Sequence, residues 1–141
     1  MKSIRLIYPT IEYKQQLIDY REQFVNEEDA IHGSSGLAFA ESIEQWLIEM
    51  DNARDFATVR EGWVPAEQYI AVNVENKIIG MLNLRKNLNE FLLQSAGHIG
   101  YSVAPSERRK GYATQMLQLA LQEAAKYGLT KVLITCTDHN L

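Results

Sequence analysis

At 141 residues, with 46% hydrophobic and 23% charged residues, the chain has the size and composition of one globular domain with its own core. A net charge of −4 argues against broad electrostatic adhesion to nucleic acid or an anionic membrane. A single cysteine, Cys136, excludes an intrachain disulfide and the Cys-rich zinc patterns, and points to a reducing, cytoplasmic setting.

Ile4 to Tyr8 is a short apolar run that predicts a first strand. Pro9 breaks it, too early for a signal peptide, and Thr10 is placed to cap a helix. Tyr13, Leu17, Tyr20 and Phe24 recur at offsets 0, 4, 7 and 11, the apolar stripe of a first helix. His32-Gly-Ser-Ser-Gly36 has loop chemistry. A second helix follows, with Phe39, Ile43, Trp46, Leu47 and Met50 at offsets 0, 4, 7, 8 and 11.

Beyond Gly62 and Pro65 the pattern turns to strands. Residues 69–74 and 78–84 flank Glu75-Asn76-Lys77, a hairpin turn, and residues 98–103 form another strand ended by Ala104-Pro105. Ala113, Met116, Leu117, Ala120, Leu121 and Ala124 share one face of a last helix, closed by Gly128. Residues 131–136 read as the final strand. No apolar run approaches the ~18 residues of a membrane span. The order β-α-α-β-β-β-α-β predicts one α/β (α+β) domain over residues 1–141, a mixed sheet flanked by helices. Its last β-α-β unit, residues 98–136, is expected as a right-handed crossover between parallel strands. Ligands of open α/β sheets bind beyond the carboxyl ends of such strands.

The turn of that unit is Arg108-Arg109-Lys110-Gly111-Tyr112-Ala113. A strand-to-helix turn directs free backbone N–H groups and the positive end of the helix dipole to one point, and here cations crowd the same point. Such a turn suits a phosphorylated cofactor. It lacks the spacing of a Walker loop and of a dinucleotide fingerprint. Gly111 would let the backbone approach a pyrophosphate, Ala113 keeps the first helical turn uncluttered, and Thr114 adds a hydroxyl. By itself the Arg-x-x-Gly-x-Ala match also fits a solvated basic run at an ordinary helix start.

The longer stretch Ile99-Gly-Tyr-Ser-Val-Ala-Pro-Ser-Glu-Arg-Arg-Lys-Gly-Tyr-Ala113 resembles motif A of the GNAT superfamily of acyl-CoA-dependent N-acyltransferases. The first strand, the two early helices and the hairpin also follow that family's order of elements. The resemblance implies a mostly antiparallel central sheet and acetyl-CoA as co-substrate, without a metal. It implies a pyrophosphate seat made by Arg108, Arg109, Lys110, Gly111, Tyr112, Ala113 and Thr114. It further implies that backbone near Val103 pairs with the pantetheine arm, and that Asn140 lies near that arm.

Acyl transfer to an amine needs a base near neutral pKa, and His98 is the candidate because an unperturbed histidine titrates in that range. It stands where similar family members carry a carboxylate before the Ile-Gly-Tyr strand. Glu90 is the alternative base. Cys136, at the end of an apolar run, reads as a small core residue rather than a nucleophile. His32 lies where the family often shapes its acceptor pocket, or is a plain surface histidine; Trp46 and Trp63 read as core or rim aromatics.

The resemblance also implies a further helix and two strands, with a tyrosine that protonates the leaving thiolate, beyond Leu141. The domain is thus expected to be incomplete at its C-terminus, with an exposed sheet edge suited to a homodimer. The expected function is acetyl transfer from acetyl-CoA to a primary amine of a small molecule or peptide, with no nucleic-acid or membrane partner. The alternative is a catalytically impaired acyl-CoA-binding or regulatory module of the same fold.

Overall fold

The computed structural model describes residues 3–24, 31–55, 57–59, 61, 64–86, 98–129 and 132. Strands β1 (Ile4–Ile7), β2 (Ala66–Asn73), β3 (Ile78–Arg85) and β4 (Ile99–Val103) pair in that order, each neighbour antiparallel. Among the described residues three helices join them, α1 (Lys14–Glu22), α2 (Ile43–Asn52) and α3 (Tyr112–Lys126), with 3-10 turns at Ile11–Tyr13, Leu37–Phe39 and Pro105–Glu107. This β-α-α-β-β-β-α order matches the one read from the sequence. The strand expected at 131–136, and with it the parallel pairing, lies outside the described residues.

Helices cover both faces of the sheet, so β2 and β3 are buried almost throughout. On one face α1 and α2, with Phe24 just beyond the end of α1, press Leu17, Tyr20, Ile43, Trp46 and Met50 against Ile70, Val72, Ile78 and Met81. On the other, α3 presses Tyr112, Met116, Ala120 and Ala124 against Tyr69, Ala71, Ile79, Leu82 and Ile99. Each burial removes apolar surface from water at ~25 cal/mol per Å². The hairpin turn forms as expected, because the Asn73 side-chain oxygen accepts the Glu75 and Lys77 N–H groups at 2.9 and 3.0 Å.

Several boundaries differ from the sequence reading. Phe39 is not on α2 but on the preceding 3-10 turn, 81% exposed. The helix starts later because Ser42 caps it, its Oγ accepting the Gln45 N–H at 3.0 Å. The Thr10 side chain makes no cap hydrogen bond. The buried ridge of α3 is Tyr112, Met116, Ala120 and Ala124, while Leu121 faces solvent. The small alanines on this ridge let the helix lie close to the sheet. The end of α3 is as expected: Gly128 N–H bonds Ala125 O and Leu129 N–H bonds Ala124 O.

Strand β2 begins three residues before the predicted start, with Ala66, Glu67 and Gln68. Glu67 and Gln68 are each 2% exposed and point to opposite faces. The Glu67 carboxylate accepts from the hydroxyl of Tyr127 at 2.6 Å and from Arg54 Nε at 2.9 Å. Tyr8 and Lys86 complete its surroundings at 3.2 and 3.5 Å. This cluster joins β1, β2, β3 and the end of α3.

Candidate active site

The backbone of β4 has one committed side and one open side. Arg85 N–H donates to His98 O and Ala104 N–H donates to Ile79 O, so the even-numbered residues of this stretch turn their amides toward β3. Ile99, Tyr101 and Val103 therefore turn theirs to the other edge, where no strand pairs among the described residues. At Val103 one of these groups is used: Arg108 Nε donates to Val103 O at 3.4 Å. The Arg108 guanidinium also lies 5.7 Å from the centre of the Phe24 ring.

Beyond Val103 the chain makes the 3-10 turn and enters α3. Arg109 and Gly111 both take left-handed backbone, at φ 66 and 82. That is natural for glycine and costs ~1–2 kcal/mol for an L side chain. The first ladder bond of α3 runs from Gln115 N–H to Gly111 O, and no side chain caps the helix. The N–H groups of Tyr112, Ala113 and Thr114 thus precede the ladder and face outward with the helix dipole behind them. Tyr112 contributes backbone alone, since its ring is buried beneath α3.

A carboxylate braces this turn. Glu107, 9% exposed, receives Lys110 Nζ at 2.9 Å and Lys77 Nζ at 3.1 Å. The hydrogen bond from Lys110, with the Lys77 ammonium, holds its pKa below the ordinary 4.5. Lys110 is therefore directed to Glu107, and Lys77 ties the β2–β3 hairpin to the turn. A lowered carboxyl pKa stabilises the fold above the unfolded value, and the gain is lost as pH falls through the folded value. The melting-temperature advantage of the wild type over Glu107→Gln should accordingly hold above pH 4.5 and shrink below it.

At the other end of β4 stands His98. Burial first, and then the nearby Arg85 charge, hold its pKa below the ordinary 6.5, so the imidazole is neutral at pH 7. Its side chain shares a sheet face with Gly100, two residues on. Residues 33–35 cross that face over a row made by Gln68, Asn83 and Gly100, which are successive partners on β2, β3 and β4. A Cβ on Gly33 would lie 2.5 Å from Gly100 O and 2.7 Å from Tyr101 Cα, so only glycine permits this crossing. Ser102, on the same face, shares a 2.7 Å hydrogen bond with the Tyr20 hydroxyl, joining α1 to β4. Burial raises the Tyr20 pKa and keeps that phenol neutral.

The structure thus gathers Val103 and residues 108–114 at one end of β4 and places His98 near the other. His32 is exposed on the crossing segment, and Trp46 is a core residue whose indole N–H donates to Ser34 O at 2.8 Å. Glu90, Trp63, Cys136 and Asn140 lie outside the described residues. Sequence reasoning missed Glu107, Gln68, Asn83 and the Tyr20–Ser102 pair. Only Glu107 carried a signal, an acid three residues before Lys110. Among the described residues, no three His, Cys, Asp or Glu side chains gather as a metal would need, and no helix is long and apolar enough to cross a membrane.

The family model described as Acetyltransferase (GNAT) family matches residues 35–141. Among solved structures, the chain is similar to the crystal structure of the GNAT domain of S. lividans PAT, at 13% identity and a TM-score of 0.52. The match covers 89% of this chain and 66% of that chain, and at such identity it speaks for the fold alone. No curated protein matches the chain.

Proposed function

The chain belongs to the GNAT acetyltransferase family, and from that premise we propose that it moves an acetyl group from acetyl-CoA to a primary amine. The observation that carries the reading is the junction of β4 with α3. There a strand edge that no described strand pairs runs into an uncapped helix N-terminus beside cationic side chains. The N–H groups of Arg109 to Thr114 suit the pyrophosphate, and the outward N–H groups of Tyr101 and Val103 suit the amide-bearing pantetheine arm. Val103 stands five positions from His98, ~17 Å along an extended strand at ~3.4 Å per residue. An extended arm laid on that edge brings its thioester toward the histidine.

In this reading the amine nitrogen forms a bond to the acetyl carbon as the carbon–sulfur bond breaks. His98, neutral at pH 7, takes the proton that the amine must lose, directly or through one water. The acceptor arrives as an ammonium, so the nitrogen's second proton, lost as the amide forms, passes to the CoA sulfur. The products are the acetylamide and free CoA. A sequence with one cysteine supports a cytoplasmic setting for this reaction.

The test is calorimetric binding of acetyl-CoA together with thiol release in the presence of spermidine, kanamycin, L-lysine or a lysine-bearing peptide. Binding with amine-dependent thiol release supports the proposal. Binding without release on any amine leaves a cofactor-binding module, and absence of binding removes the seat itself.

A further inference from the structure

We propose that Gln68 is a positioning residue for the acceptor amine, acting by clamping residues 33–35 across β4 beside His98. The proposal rests on the acetyl-transfer reading above. Gln68 Nε2 donates to Gly33 O at 2.7 Å, and Gln68 Oε1 accepts from Ser35 Oγ at 3.0 Å and Asn83 Nδ2 at 3.1 Å. Asn83 Nδ2 also reaches Ser35 Oγ at 3.0 Å. A glutamine and an asparagine have been placed in the two central strands, at 2% and 4% exposure, where apolar residues would pack without needing partners. Their partners are the crossing segment.

The segment needs such a hold. Gly33, Ser35 and Gly36 all take positive φ, at 73, 53 and 85, so it has neither helix nor strand bonds to keep it in place. What the clamp fixes is position relative to the base. Gly33 lies against Gly100, and His98 projects from the same face ~7 Å back along the strand, at ~3.4 Å per residue. The segment therefore stands on the same face of β4 as His98, one sheet row away, and in this proposal it is the wall that an amine approaching the imidazole meets. A wall displaced by ~1 Å misplaces a bound amine enough to cost binding and rate.

Two variants lift the segment by unrelated means. Gln68→Met keeps the side-chain volume and removes the hydrogen bonds, whereas Gly33→Ala adds a methyl against Gly100 O. Ser42→Ala removes the α2 cap instead, a destabilisation that leaves the Gln68 hydrogen bonds and the Gly33–Gly100 contact in place. All are assayed with the amine among spermidine, kanamycin, L-lysine and the lysine peptide that the wild type acetylates best. Gln68→Met and Gly33→Ala should each raise the amine KM by ~10-fold or more, with acetyl-CoA affinity within about twofold of wild type. Ser42→Ala should lower the melting temperature and leave KM unchanged. The proposal is overturned if both variants keep the wild-type KM, or if Ser42→Ala raises it equally. It is also overturned if acetyl-CoA affinity falls in step with KM. Wild-type protein that turns over no amine removes the underlying reading; turnover with unchanged KM in the variants removes the clamp alone.

Discussion

Replacing His98 with alanine is expected to lower kcat by ~100- to 10,000-fold, the usual contribution of a positioned general base, and to leave acetyl-CoA affinity within about twofold. The pH profile gives the sharper reading. A base works when unprotonated, and burial together with the Arg85 charge lowers the pKa of His98. Wild-type kcat/KM should therefore fall on the acid side with a midpoint below 6.5, and this limb should vanish in His98→Ala. Steady-state thiol release from pH 5 to pH 9 checks it. An unchanged limb in His98→Ala, lost instead in Glu90→Gln, would assign the base to Glu90.

Trp46→Ala should cost ~3–5 kcal/mol, the range for removing a fully buried large aromatic. The indole is 1% exposed within the core that α1 and α2 share with the sheet, and its N–H holds Ser34 O at 2.8 Å. Domains of this size have ~5–15 kcal/mol in total, so the variant approaches the limit of folding. Urea denaturation should show the midpoint falling sharply. Trp46→Phe separates the two contributions: most packing is retained, and the orphaned Ser34 carbonyl costs ~1–3 kcal/mol. If Trp46→Phe were as damaging as Trp46→Ala, the hydrogen bond rather than the volume would dominate.

What could be read in the sequence followed the strength of local patterning. Leu17, Tyr20 and Phe24 announce α1 because a helix repeats its buried face every third or fourth residue. Pro105 and Gly111 mark the turn because each restricts or frees the backbone at a fixed place. The start of β2 was hidden because Glu67 and Gln68 look like loop residues, and they become strand residues through partners as distant as Tyr127 and Gly33. Phe39 was misplaced because periodicity alone extended α2 backward, although Ser42 and Gln45 already carried the boundary. In the site, the basic turn between β4 and α3 was legible as a continuous motif. The bracing of Glu107 by Lys77 and the row under residues 33–35 were not, because they join residues that only the folded sheet brings together.

The adjacent pair Glu67 and Gln68 also acts as a registration mark for the sheet. One carries a charge and belongs beneath Tyr127 and Arg54; the other is neutral and belongs beneath Gly33 and Ser35. If β2 slipped by a single residue, the two would exchange faces. A slip one way would set the carboxylate against the Gly33 carbonyl, and a slip the other way would put the neutral amide before Arg54 and Lys86. Apolar residues on both faces of a central strand tolerate such a slip far better, since Ile, Val and Ala are satisfied on either side. The two polar residues that disguise the strand in the sequence therefore leave it one acceptable pairing.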